Sequence, residues 1–197
     1  RVGDPNWANW NMGGAWVATH IWEHYTFTLD KDFLRQAFPT LKGAADFCLN
    51  WLIEKNRELI PSPSTSPENL YHTPDGYVGA TLYGGTADLA MARECLWDAR
   101  QAAEVLNMDR SYIQRIDQAL GKLHPYQIGR VGNLQEWYFD WEDQDPQHRH
   151  QSHLFGLYPG HQITEYALSK NNPSRQALLQ ACAKTLEIKG DNTTGWS

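Results

Sequence analysis

The chain has 197 residues, a length that suits a single globular domain. Its formal net charge of -6 argues against a nucleic-acid-binding protein, because such proteins usually present a basic face. No stretch approaches the roughly 20 apolar residues that a membrane-spanning helix needs. We therefore expect no nucleic-acid partner and no membrane span in this segment.

The three cysteines, Cys48, Cys95 and Cys182, are far apart and lie within apolar helical patterns. An odd count without a Cys-x-x-Cys pair predicts neither a disulfide framework nor a zinc site. We interpret them as small buried hydrophobic residues. The chain has no signal peptide, but it also begins without Met, so the compartment stays open at this point.

The hydrophobic pattern predicts five or six helices. One runs from about Gly14 to Phe27, and Asp30 caps the next segment, in which Pro39 restarts the helix as a first-turn proline. A third spans about Thr86 to Leu106. The later signals are a cap at Asp109, a cap and first-turn proline at Asn172-Pro173, and a C-terminal stop at Gly190.

Two long loops interrupt this all-α pattern, from about Leu59 to Gly85 and from about Gln127 to Gly160. Loops of this length are uncommon in compact domains unless they serve a function. Helical pairs separated by such loops fit an α/α toroid, in which loops at one end of the helical scaffold form the site. Nine Trp, nine Tyr and eight His suit a core, and aromatic rings also suit stacking against sugars.

Glu68 is the first candidate for chemistry. It follows Ser66-Pro67 in a loop that is stiffened by Pro61 and Pro63. A carboxyl on a rigid loop can be held in place for proton transfer. The alternative is a surface glutamate or one that caps the next turn.

A second candidate region, residues 134–153, is crowded with acidic and imidazole side chains, among them Glu136, His150 and His153. Metal binding is an alternative, because His and carboxylates are common ligands. The region has no His-Glu-x-x-His helix, however, and its carboxylates can pair with Arg149. We favour a polar network around a sugar, since hydroxyls need several fixed donors and acceptors. We therefore expect no metal and no cofactor.

A third candidate region lies on the first helix, where Trp16, His20 and Glu23 share one face at spacings of four and three. An aromatic ring, an imidazole and an acid on one stripe could form the wall of a sugar pocket. The alternative is a buried His–Glu pair that steadies helix packing, and the pattern alone leaves both open.

The ordered set of motifs resembles glycoside hydrolase family 95, whose best-known members are inverting α-L-fucosidases and which includes α-L-galactosidases. The motifs cover nearly the whole chain in the family's order. They are Gly13-Gly-Ala-Trp with Trp22-Glu-His-Tyr25, Pro39-Thr-Leu-Lys-Gly-Ala-Ala45, Pro63-Ser-Thr-Ser-Pro-Glu-Asn69, Gln135-Glu-Trp137, His148-Arg-His-Gln-Ser-His-Leu154 and Leu157-Tyr-Pro-Gly160, with Thr194-Gly-Trp-Ser197 as a further likeness.

The resemblance implies that residues 1–197 are part of an (α/α)6 barrel catalytic domain, cut short at both ends. It makes Glu68 the match to the family's general acid and leaves Trp16, His20, Glu23, Glu136, His150 and His153 as substrate-binding candidates. In such an inverting mechanism the acid has a raised pKa and protonates the leaving oxygen, while water attacks from the opposite side.

The family activates that water with an Asn pair and an Asp, whose motifs do not occur in this chain. Asn9 and Asn11 resemble the Asn pair, but their place beside Gly13 fits a later segment of the family. We therefore expect the isolated chain to be inactive, or nearly so, and poorly stable.

The expected substrate is a fucosylated oligosaccharide or glycan, and the resemblance implies a periplasmic or extracellular location. Other classes stay open, namely another toroid carbohydrate enzyme, such as a glucoamylase-like hydrolase or a polysaccharide lyase, and a non-catalytic sugar-binding module. Fucose and L-galactose differ by one hydroxyl, so the sequence does not separate them.

Overall fold

The computed structural model describes residues 3–4, 8, 10–166 and 168–191. The chain divides into two compact units, which we describe separately. The helical unit consists of Asn11–Ile60 and Met91–His124, and the site unit contains Pro61–Ala90 together with the described part of 125–197. Asn9 and Thr194–Ser197, which carried part of the sequence argument, lie outside the described residues.

Five α-helices account for most of the regular structure in the described residues, and the prediction of a mainly helical protein is confirmed. They are α1 Gly13–Thr28, α2 Lys31–Trp51, α3 Thr86–Val105, α4 Arg110–Lys122 and α5 Arg175–Lys189. Two of the predicted caps are present. Asp30 accepts hydrogen bonds from the backbone of Asp32 and Phe33, and Asp109 accepts one from Ser111.

The prediction that Pro39 restarts a helix is wrong, because Pro39 lies inside the continuous helix α2. A proline within a helix costs about 3 kcal/mol, since it removes one backbone hydrogen bond and crowds the preceding turn. Five buried residues form an unbroken apolar stripe along α2, and burial of each large side chain contributes roughly 1.5–3 kcal/mol. The free energy gained by burying this stripe exceeds the cost of the proline. The stripe consists of Leu34, Phe38, Leu41, Ala45 and Cys48.

A short hairpin in the helical unit was not predicted. Its strands are β1, Leu52–Lys55, and β2, Glu58–Pro61. The two residues between them, Asn56 and Arg57, have φ values of 53° and 68°. Positive φ at both central positions defines a type I′ turn, whose twist matches that of antiparallel strands. The sequence lacks the Asn-Gly or Asp-Gly signal that normally marks such a turn.

The site unit contains small antiparallel sheets where the sequence predicted only loops, so the structure is not purely α-helical. Strand β3, Ser64–Thr65, pairs with β6, Thr81–Leu82. Three further strands are β4 Tyr71–His72, β5 Val78–Gly79 and β7 Glu142–Asp143. They form a three-stranded sheet with the order β5-β4-β7. Strands β4 and β5 form a local hairpin across residues 73–77, whereas the pairing of β4 with β7 joins parts of the chain that are distant in sequence, which no local pattern reveals.

The C-terminal part of the site unit begins with a 3-10 helix, Ser152–Gly156, and continues to α5. The prediction that Asn172 caps α5 is wrong, because Ser174 is the N-cap and accepts from the backbone of Ala177 at 3.2 Å. The Asn172 side chain instead accepts from the backbone of Tyr126 at 2.9 Å. Gly190 ends the helix with φ 71°, as predicted.

The cysteines Cys48, Cys95 and Cys182 are free and buried, which confirms their interpretation as small hydrophobic residues. None of the helices in the described ranges combines the length and apolar character required to cross a membrane.

Candidate active site

Glu68 lies at the third position of a tight turn in the site unit. The turn runs from Ser66 to Asn69 and is closed by a 3.0 Å hydrogen bond from the Asn69 amide to the Ser66 carbonyl. Pro67 fixes a negative φ at the second position, whereas Glu68 has a φ of 52°. This combination defines a type II turn, which normally carries Gly or Asn where Glu68 lies. A non-glycine residue in this region is strained, and such strain is concentrated at functional sites.

Two basic side chains surround the Glu68 carboxylate. Arg149 forms an ion pair with Glu68 Oε2 through one guanidinium nitrogen, and His150 Nδ1 lies 3.7 Å from the same oxygen. His150 Nδ1 is also 3.1 Å from the Pro67 carbonyl oxygen. The Glu68 side chain is 18% exposed, whereas those of Arg149 and His150 are 48% and 35% exposed. An acid held in this way can meet a polar substrate from solution.

Glu68, His148 and His150 together have the ligand types of a transition-metal site, since one ligand atom from each lies within 4.8 Å of the others. The carboxylate is already paired with Arg149. Burial and the nearby positive charges of His150, Lys189 and Arg149 lower the pKa of His148. Because Arg149 already occupies the carboxylate, the arrangement suits hydrogen bonding to hydroxyls better than metal binding.

A buried charge cluster lies in the same unit, around Glu136, which is 5% exposed. Lys189 Nζ lies 3.4 Å from Glu136 Oε2, and His153 Nδ1 lies 3.5 Å from that oxygen. Burial by itself raises the pKa of Glu136, but the fields of His153 and Lys189 and the hydrogen bonds from Ser66 and Lys189 hold it below its usual value. Glu136 is therefore a charged acceptor inside the protein.

His153 and Asp143 border this cluster in their neutral forms near pH 6. Burial lowers the pKa of His153 to about 4. Burial and the charge of Glu136 raise the pKa of Asp143 to about 7, although the Trp137 indole donates a 2.8 Å hydrogen bond to it. The cluster thus keeps one charged pair, Glu136 with Lys189, and avoids further buried charge.

The first-helix candidates lie in the helical unit, with Trp16, His20 and Glu23 all on the exposed side of α1. His20 Nδ1 is 3.0 Å from the Val17 carbonyl oxygen. The alternative of a buried His–Glu pair is thus wrong, because the face that packs inward carries Ala15, Ala18 and Tyr25 instead. The role of the three residues as a sugar-pocket wall stays a prediction.

The structure brings Glu68, His150, Glu136 and His153 into the site unit, but it gives them different environments. His150 is half-exposed beside Glu68, whereas Glu136 and His153 are buried. Sequence reasoning missed Lys189 as the partner of Glu136, and no local signal marks it, since it lies near the end of an ordinary helix. Arg149 was expected to pair with carboxylates of residues 134–153, and in the structure it pairs with Glu68.

Comparison with known proteins identifies the class as a glycoside hydrolase. The chain belongs to the family described as glycosyl hydrolase family 95 catalytic domain, whose model matches residues 1–197. This confirms the resemblance found in the sequence motifs.

Two curated relatives illustrate the similarity. Alpha-L-fucosidase 2 of Arabidopsis thaliana is 42% identical over 198 residues, covering 99% of this chain and 23% of that protein. Probable alpha-fucosidase A of Aspergillus niger is 30% identical over 208 residues, covering 97% of this chain and 24% of that protein. The chain therefore spans about a quarter of the length of either relative.

Proposed function

We propose that the protein carrying this chain hydrolyses terminal α-L-fucosyl residues, or the related α-L-galactosyl residues, of oligosaccharides and glycans with inversion of configuration. Family membership supports the glycosidase class, and the names of the relatives support a fucoside. The observation that carries the proposal is the strained turn that holds Glu68, partly exposed, between Arg149 and His150.

In this proposal Glu68 is the general acid. Its carboxyl donates a proton to the glycosidic oxygen as the bond to the sugar breaks, so that the leaving group departs as a neutral alcohol. The proton must be present beforehand, which requires Arg149 to turn away from the carboxylate. Hydroxyls of an arriving sugar offer acceptors for the guanidinium, so substrate binding would itself free Glu68 for proton transfer.

We propose that the attacking water is activated by residues of the protein outside this chain. The Asn pair and the Asp that the family resemblance implies have no matching motif in these 197 residues. We propose that this chain supplies the acid and part of the sugar-binding surface. The (α/α)6 barrel and the assignment of residues 1–197 to one partial domain belong to the same proposal, which the five helices in the described residues support.

Among the substrate-binding candidates, His150 has the best position, because it is half-exposed and adjoins Glu68. Trp16 offers an apolar ring and His20 and Glu23 offer polar groups on an exposed helix face, which suits a sugar ring and its hydroxyls. The burial of Glu136 and His153 favours support of the site over direct sugar contact.

The experiment is the substitution Glu68→Gln in the whole protein, with release of fucose from a 2′-fucosylated oligosaccharide as the readout. Loss of the acid should lower kcat by about 10²- to 10⁴-fold. Binding of the oligosaccharide, measured by calorimetry, should change little. The matched control is Glu142→Gln, which alters an exposed glutamate paired with Arg130. A Glu68→Gln protein with normal turnover would overturn the assignment. A wild-type protein that binds fucosides without cleaving them would indicate a sugar-binding module.

A further inference from the structure

The turn that carries Glu68 rests on one buried carboxylate. Ser66 Oγ donates a 2.6 Å hydrogen bond to Glu136 Oε1, and Asn69 Nδ2 donates a 3.5 Å bond to Glu136 Oε2. Ser66 and Asn69 are the first and last residues of the turn, with Glu68 between them. Both ends of the turn are therefore attached to the same side chain, which is 70 residues away from Ser66 in the sequence.

Glu136 is itself fixed from several directions. Lys189, near the end of helix α5, donates a hydrogen bond to Oε2 at 3.4 Å, and the buried His153 ring of the 3-10 helix lies beside the same oxygen, 3.5 Å away and without a hydrogen bond from Nδ1 to it. The Glu136 backbone carbonyl accepts from the amide of Thr86, the first residue of α3, at 3.1 Å. The support of the turn thus comes from regular elements, which hold a geometry more exactly than a loop does.

We propose that Glu136 is a positioning residue, which orients the Ser66–Asn69 turn and through it the Glu68 carboxyl, and that it does not touch the sugar. The proposal rests on the proposed function, in which Glu68 is the general acid. It assigns to Glu136 a role different from the sugar contact expected from the sequence.

The physical reason lies in the strain of the turn. Glu68 is held at φ 52°, a conformation that a residue with a Cβ leaves when its surroundings allow it. Without its two side-chain anchors the turn could relax and carry the carboxyl away from the glycosidic oxygen. A displacement of about 1 Å at a reacting group can cost roughly 100-fold in rate. The depressed pKa of Glu136 keeps it a charged acceptor for both donors.

A buried ion pair that only stabilises the fold is the alternative, and leaving-group dependence separates the two roles. A poor leaving group, such as phenolate, needs a proton from the acid, whereas 2,4-dinitrophenolate departs without one. Misplacement of Glu68 therefore slows hydrolysis of phenyl α-L-fucoside selectively. A general loss of folded protein slows both substrates equally.

The test compares both aryl fucosides in the whole protein with Glu136→Gln. This isosteric change keeps an acceptor for Ser66 but replaces the oxygen that Asn69 and Lys189 contact. We expect kcat/KM for the phenyl substrate to fall by about 10- to 100-fold and that for the dinitrophenyl substrate to fall much less. Glu142→Gln, at an exposed site in the same unit, should leave both values unchanged.

Ser66→Ala provides a second variant in case Glu136→Gln fails to fold, because it removes one hydrogen bond and introduces no charge imbalance. It should show the same selective loss. An equal loss on both substrates, for the variants that fold, would overturn the positioning role. Glu68→Gln must itself lose activity selectively on the phenyl substrate, and if it does not, the assignment of Glu68 as the acid fails. If Glu68→Gln shows this selective loss and the Glu136 and Ser66 variants do not, only the positioning role of Glu136 is overturned.

Discussion

Ser64 and Asp88 are joined by a 2.6 Å hydrogen bond from Ser64 Oγ to Asp88 Oδ2, and both side chains are buried. Asp88 lies in the first turn of α3, and Ser64 also accepts from the amide of Gly85 at 3.1 Å. The loop before Glu68 is therefore attached to the start of a helix. Together with Glu136, this gives the loop two buried acidic anchors.

Asp88 should make the stability of the protein depend on pH. Burial raises its pKa from 3.8 to about 7, although the hydrogen bonds from Ser64 and from the Thr65 backbone oppose the shift. Between these two values the folded protein retains a proton that the unfolded chain has lost. The contribution of Asp88 to the free energy of unfolding is therefore present at low pH and declines as the pH rises towards 7.

The substitution Asp88→Asn removes this titration while it keeps an acceptor for Ser64. The test therefore compares the free energies of unfolding of variant and wild type by denaturant unfolding at pH 5 and at pH 8. The difference, variant minus wild type, should be more favourable to the variant at pH 8 than at pH 5. The comparison with wild type cancels the titration of groups that both proteins share, such as His153. A stability difference that is the same at both pH values would show that Asp88 does not titrate in this range.

The Gly85→Ala substitution should disturb the loop that carries Glu68. An added Cβ would lie 2.6 Å from Ser64 Oγ, so Ser64 must move and its bond to Asp88 must weaken. We expect a destabilisation of about 1–3 kcal/mol and a lower rate of fucoside hydrolysis. The control is Gly121→Ala in helix α4, where nothing lies within 4 Å of the added Cβ and a gain of about 0.5 kcal/mol is expected. Equal effects of the two changes would contradict the model of the loop anchor.

The parts of the fold that the sequence predicted are those with local signals. Asp109 and Gly190 act at helix ends through their own side chain or φ value, so their identity is informative. Pro39 and Asn172 gave local signals for a helix start and a helix cap, but neither residue has that role in the structure, because tertiary contacts prevail. The apolar stripe of α2 continues past Pro39, and Tyr126, 46 residues away, engages Asn172.

In the candidate site, too, the sequence predicts local features but not tertiary contacts. Glu68 was identified from its loop and its family motif, because prolines and small hydroxyl residues stand beside it in the sequence. Its anchors could not be identified in this way. Ser66 meets Glu136 across 70 residues, and Lys189 reaches Glu136 across 53. The sequence also did not distinguish His150 from His153, although His153 is buried and His150 is half-exposed in the structure.

Arg149 should matter for turnover and little for stability. Its partner Glu68 is 18% exposed and Arg149 itself 48% exposed, and an ion pair open to solvent contributes about 0–1 kcal/mol. Arg149→Gln should therefore change the free energy of unfolding no more than Arg130→Gln, which breaks the exposed pair with Glu142. If Arg149 binds sugar hydroxyls, kcat/KM should fall by about 10- to 100-fold, the worth of a charged hydrogen bond. A loss of several kcal/mol in stability, or unchanged turnover, would contradict this role.

The strain at Glu68 can be measured with glycine and alanine substitutions, which both remove the carboxylate and its contacts. At an ordinary position glycine is the less stable of the two by roughly 0.5–1 kcal/mol, because it loses more conformational freedom on folding. At a φ of 52° alanine bears the steric cost of its Cβ and glycine does not. Glu68→Gly should therefore be more stable than Glu68→Ala by about 1 kcal/mol.

The reference for this measurement is Glu142 in strand β7, whose φ is not among the positive values of the described residues. There the order should reverse, with Glu142→Ala more stable than Glu142→Gly. Denaturant unfolding of the four variants gives the result as a difference of differences, so the loss of the ion pairs to Arg149 and Arg130 cancels within each pair. If alanine were the more stable residue at both positions, the turn at Glu68 would not be strained, and the need for an anchor at Glu136 would lose its physical basis.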